Sequence, residues 1–181
     1  MRAISIASVI ICVAAMMCAV VFCSPRPAPP SANKVGEYRE PDPAIRHAVV
    51  RTVAKDMVAR EVIAGRLPLP DAAARFGWLQ ALPPAADPDL APEFLAELVG
   101  LPADERYGAG EVLALRVVVW VRRPELSDDP IRSQEAALRQ FLEARAEGRL
   151  TRLPEVSKDE RARILAQAEV EATRLLSRHG D

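Results

Sequence analysis

Glu111–Arg123, EVLALRVVVWVRR, is the stretch on which the fold class turns. Valines at 117, 118, 119 and 121 are β-branched, and such residues favour a pleated, half-buried strand. A strand needs a partner, and no second run of that character occurs from residue 44 onward. Leu113, Val117, Trp120 and Val121 also fall at helical spacing and share a face. The stretch is therefore read as a helix, with Gly108 and Gly110 in the bend or weak first turn before it. The fold class that follows is all-α.

Outward from this helix the punctuation is regular. Ile45–Ala64 carries Val50, Val53, Ala54, Met57, Val58 and Val62 on one broad face, and Gly65 is placed to end it. Arg46, Arg51, Lys55, Arg60 and nearby Arg66 outnumber Asp56 and Glu61 there. That excess could meet an acidic partner or lipid headgroups, but the blander account, a solvated face, is the one preferred. Pro70–Gln80 follows with proline at the first helical position and Asp71 in the first turn. Pro92–Leu98 is a short helix stopped by Gly100. Asp129 and Pro130 open another, which Gly148 ends. The last begins with the capping box of Ser157 and Glu160, carries Leu165, Ala168, Ala172 and Leu175 as its stripe, and closes at Gly180.

In front of this domain lies Ala3–Cys23, AISIASVIICVAAMMCAVVFC, which has no charge, amide side chain, Gly or Pro. A helix of that length spans roughly 31 Å, close to a bilayer's hydrocarbon thickness. The segment is read as a transmembrane anchor, with a cleaved signal peptide as the alternative. Cys12, Cys18 and Cys23 are taken as apolar residues of the span. Ser24–Pro43, SPRPAPPSANKVGEYREPDP, is proline-rich and reads as an extended tether. The expected organisation is an anchor over 1–23, a linker over 24–43 and a helical domain over 44–181, with about five short helices in a small bundle.

Residues that could carry chemistry are few. The chain has two histidines, His47 and His179, and no cysteine in the domain, so neither a cysteine metal site nor a disulfide is available there. No HExxH, GxSxG or glycine-rich phosphate loop occurs. Asp128-Asp129 and Asp104-Glu105 are accounted for by helix capping and favourable charge at helix starts. A net charge of −1 argues against a nucleic-acid binder. Arg75, Trp78 and Trp120 are the candidate interface residues, the tryptophans because aromatic anchors dominate interfaces. In a domain this poor in aromatics, they are also natural pieces of its own core. No catalytic, cofactor or metal residue is assigned.

Lys55–Leu79, KDMVAREVIAGRLPLPDAAARFGWL, and Glu105–Val121, ERYGAGEVLALRVVVWV, behind an N-terminal span resemble small membrane-anchored helical proteins of planctomycete-type bacteria. Glu61–Phe76, with its Ala-Gly-Arg-Leu turn and Ala-Arg-Phe ending, is the sharpest part. The resemblance covers about a third of the chain and implies an architecture without an activity. The expectation is a single-pass membrane protein with its C-terminal domain outside the cytoplasm, partnered by the bilayer and an unknown protein, and acting as an interaction or accessory module. A secreted or periplasmic form after cleavage is the alternative location. A transmembrane regulator or sensor subunit and an extracytoplasmic hydrolase using paired carboxylates are the alternative functions.

Overall fold

The computed structural model describes residues 42–83 and 90–178, which contain six α-helices. They are α1 (Pro43–Ile63), α2 (Leu69–Gln80), α3 (Pro92–Leu98), α4 (Ala109–Trp120), α5 (Pro130–Ala146) and α6 (Lys158–Arg178). The expected count of about five is corrected to six, since each of the six segments read in the sequence, Pro92–Leu98 included, forms a helix. Proline occupies the first position of α3 and Gly100 follows it at φ 76°.

The contested stretch is helical, and its surroundings explain why. Ala114, Leu115, Val117, Val118 and Val121 are all fully buried, and α4 packs against α1, α2, α3 and α5. Burial on several sides overrides the modest helix penalty of β-branched side chains, since each buried valine contributes about 1.5–3 kcal/mol. Glu111 starts the helix by accepting the Gly108 N–H at 2.7 Å. Arg145 of α5 then donates through Nε to Glu111 and through Nη2 to Glu105, both at 2.8 Å, and lies over the Tyr107 ring. The hydrogen bond to Glu105 is the largest cause of a raised Arg145 pKa and of a lowered Glu105 pKa.

Two apolar clusters divide the described bundle. The larger joins Val58, Ala59 and Val62 of α1 to α2–α5, with Phe76, Leu95, Leu115 and Phe141 among its members. The smaller joins Val50, Val53 and Ala54 of α1 to Leu79 and to Ile164, Ala168 and Ala172 of α6. α1 is thus shared, its C-terminal half in one cluster and its N-terminal half in the other. α6 lies along α1, the one described helix that its backbone approaches closely.

Helix ends follow local chemistry. Asp42 accepts the Ala44 N–H at 2.8 Å and Asp129 accepts the Arg132 N–H at 3.0 Å. Gly65, Gly100 and Gly148 each take positive φ just past a helix. At Ser157 half of the expected capping box forms: its Oγ accepts the Glu160 N–H at 3.2 Å, while the Glu160 carboxylate turns to Arg75. Gly180 lies outside the described residues. The solvated-face account of the α1 cations is corrected for two of them, because Arg51 and Lys55 are buried.

The membrane expectations are corrected as well. Among the described residues no helix is long and apolar enough to cross a membrane, and the described helices bury their apolar faces against one another. Ala3–Cys23, on which the transmembrane helix, bilayer partner, single-pass topology and extracytoplasmic location all rested, lies outside the described residues, as does the linker up to Pro41. The chain is therefore not assigned to a membrane.

Gly110 marks the tightest packing of α4. A Cβ there would lie 2.1 Å from the Leu150 carbonyl oxygen, whereas one at Gly108 would meet nothing nearer than Glu111 Oε2 at 3.7 Å. Gly110→Ala should therefore cost about 1–3 kcal/mol in urea unfolding, as overpacking against backbone does. Gly108→Ala should cost clearly less; equal losses would disprove the close approach as the cause.

Candidate functional site

The charged residues of α1 separate into two sets with different fates. Lys55 and Asp56 point inward, toward the junction of α1, α2 and α4. Asp56 Oδ1 accepts the Trp120 indole N–H at 2.9 Å and an Arg123 Nη1–H at 2.7 Å. Phe76 meets Trp120 edge-on, with centroids 5.8 Å apart. Lys55 Nζ lies 5.6 Å from the Phe76 centroid and 5.0 Å from that of Trp120. A buried ammonium facing two aromatic rings is stabilised by their quadrupoles. Trp120 is thereby engaged within the bundle.

The second set opens to solvent. Arg60 and Glu61 end α1, Arg66 follows in the turn, Arg75 stands on α2, and Arg163 stands on α6. Together with Met57, Val58, Leu67, Ile164 and Gln167 they line a cleft of about 500 Å³. The turn that places Arg66 follows from Gly65, whose φ of 69° reverses the chain so that Leu67 is buried. Arg66 donates through Nε and Nη2 to the two Glu61 oxygens at 2.8 and 2.7 Å, a bidentate pair. This bond holds the Glu61 carboxyl below its ordinary value, aided by the charges of Arg66 and Arg75 and opposed by slight desolvation. Arg75 pairs with Glu160 across the gap between α2 and α6.

Arg60 and Arg163 complete the cleft and make no hydrogen bond or ion pair among the described residues. Four guanidinium groups therefore converge from three helices and a turn, with Glu61 and the adjoining Glu160 as the acids that offset them. Sequence reading noted the positive excess around α1, which includes Arg60 and Arg66, and singled out Arg75. It missed Arg163, which gave no signal because nothing in a linear sequence brings α6 beside α1.

The candidate interface residues are dispersed. Arg75 lines the cleft, while Trp78 is half-buried beside the smaller cluster with the Arg161 guanidinium 5.9 Å from its ring. Trp120 sits in the Asp56 junction. Among the described residues no helix is long and apolar enough to cross a membrane, so the tethered interaction reading is corrected, and the internal contacts of Arg75, Trp78 and Trp120 lend its protein partner no support. The sensor reading falls with the unassigned span. The paired-carboxylate hydrolase is corrected too. Asp129 is a helix cap, and Glu61 and Glu105 are held below the ordinary carboxyl range, opposite to what a proton donor at neutral pH requires. Among the described residues, no group of three or more His, Cys, Asp or Glu is placed to hold a metal ion.

No family model, curated protein or solved structure matches the chain. The resemblance to planctomycete-type membrane proteins is corrected accordingly. Its sharpest segment, Glu61–Phe76, is explained by a glycine-ended helix, a tight turn and a proline-started helix, features common to many unrelated bundles.

Because the Glu61 pKa is lowered on folding, the unfolded chain takes up the proton first as pH falls. The contribution of the Glu61–Arg66 pair is complete above the ordinary value of 4.5 and is lost as pH drops through the lower folded value. Urea midpoints measured between about pH 3 and 7 should fall at the acid end. In Glu61→Gln that decline should be shallower, and an unchanged slope would show that the pair contributes nothing.

Proposed function

We propose that this chain binds a small multivalent oxyanion, of the phosphate or polycarboxylate kind, in the cleft lined by Arg60, Arg66, Arg75 and Arg163. The observation that carries the reading is the convergence of Arg60 and Arg163, cations without a partner among the described residues, on a cleft that already holds two paired arginines. Guanidinium groups suit such ligands because their fixed fork of donors matches two oxygens at once.

Magnitudes favour a multivalent ligand over a monovalent one. A single ion pair 4 Å apart is worth about 4 kcal/mol near a protein surface and about 1 kcal/mol in bulk water. Desolvation and ordering of long side chains remove much of that, which is why isolated surface pairs stabilise little. An anion with two or more negative oxygens touches several guanidinium groups while incurring the association cost once. Met57, Val58, Leu67 and Ile164 supply the apolar part of the lining. Gln167 adds an amide that can donate to a further oxygen.

Titration of the full chain with inorganic phosphate and with citrate, at fixed ionic strength and followed by calorimetry, tests this reading and separates the two ligand kinds. The tighter should bind with a Kd between about 10 μM and 1 mM. The double variant Arg60→Ala/Arg163→Ala should weaken it at least about tenfold, as loss of two charge-assisted contacts predicts. Arg149→Ala, which removes a cation paired with Glu147 elsewhere, should leave it unchanged. Absence of binding by both anions, or equal affinity in the double variant, would overturn the assignment.

A further inference from the structure

We propose that the anion in the arginine cleft also fixes α6 to the rest of the bundle, so that ligand occupancy controls whether this helix is docked. The inference rests on the anion-binding reading above and adds its consequence for the fold.

Three observations carry it. First, among the described helices the backbone of α6 lies close to α1 alone, through the smaller apolar cluster. Its ties to α2 are made by side chains: Arg75 to Glu160, Arg161 over Trp78, and the shared burial of Leu79. Such a helix can open without unfolding α2–α5, whose larger cluster contains no α6 residue. Second, the cleft crosses this seam. Arg163 and Gln167 come from α6, whereas Arg60, Arg66 and Arg75 belong to α1, the following turn and α2. Third, the cations left unpaired among the described residues on the two sides of the seam share a sign. Arg163 of α6 and Arg60 of α1 line the same cleft, whereas Arg66 is paired with Glu61 and Arg75 with Glu160, the latter pair spanning from α6 to α2.

Docking brings the unpaired Arg60 and Arg163 to one cleft, where they repel, and an anion bound between them turns that repulsion into attraction on both sides. Lifting α6 away removes Arg163 and Gln167 from the ligand, so the anion binds the docked form more tightly than the open one. A ligand shifts such an equilibrium by its differential affinity for the two forms. With α6 opening as a local event, phosphate at ten times its Kd slows exchange through that opening by up to about tenfold.

Hydrogen exchange of the full chain, read peptide by peptide by mass spectrometry with and without phosphate at constant ionic strength, tests the coupling alongside the calorimetric titration. Without phosphate, the amides of 158–178 should exchange faster than those of 109–120. Phosphate should slow the former several-fold, approaching the limit set by occupancy. Glu160→Gln, which loosens the Arg75 tie, should speed α6 exchange without phosphate and regain protection when phosphate saturates. If calorimetry shows binding but α6 exchange is unmoved by phosphate, or α6 opens no faster than α4, the coupling is wrong and the binding site stands. Failure of phosphate and citrate to bind would instead remove the underlying assignment.

Discussion

Val117, Val118 and Val119 leave the α4 backbone few directions in which to face water, and the described bundle is arranged to meet that constraint. Two of the three are fully buried, and α1, α2, α3 and α5 all pack on this one helix. The close approaches at Gly77 and Gly110 are part of the same arrangement. At Gly77 a Cβ would lie 2.8 Å from Leu113, and at Gly110 the neighbour is the Leu150 backbone. The polar junction at Asp56 extends it, since one carboxylate oxygen satisfies both the Trp120 indole and Arg123 at the end of α4. An apolar replacement of Asp56 would leave a half-buried N–H without its acceptor, so this polar contact is costly to lose even though its net gain is modest.

α1 distributes its side chains among three environments. Its C-terminal half enters the core around α4, its N-terminal half supports α6, and its last turn delivers Arg60 and Glu61 to the open cleft. The inward cations differ from the outward ones in what compensates them. Lys55 has aromatic faces and Arg51 donates to the Leu82 carbonyl at 2.9 Å, while Arg60 looks onto solvent. The recognition chemistry of the cleft therefore depends on the same helix that bridges the two apolar clusters.

Helix ends were legible in the sequence because their causes are local. Gly65, Gly100 and Gly148 adopt the left-handed conformation that their positions suggested, and Asp129 caps as expected. The all-α reading of Glu111–Arg123 succeeded on an argument from absence, the lack of a partner strand, more than on propensity. What failed depended on tertiary proximity. The burial of Arg51 and Lys55 is invisible in a linear pattern, because an amphipathic helix packed on two sides has a much narrower exposed face than its charges imply. The cleft escaped notice for the same reason, as Arg163 is far from Arg60 along the chain. The membrane reading rested on a segment apart from the domain, and none of the described helices supports it.

The pairing of α1 with α6 joins the first and last of the described helices. Contacts between such distant segments close a long loop, and chains rich in them fold more slowly than those built from neighbours. During synthesis α1 leaves the ribosome well before α6 exists. Val50, Val53 and Ala54 must therefore wait, covered only in part by Leu79 of α2, until the rest of the bundle has been translated. For that interval the nascent chain exposes an apolar strip which the finished protein conceals.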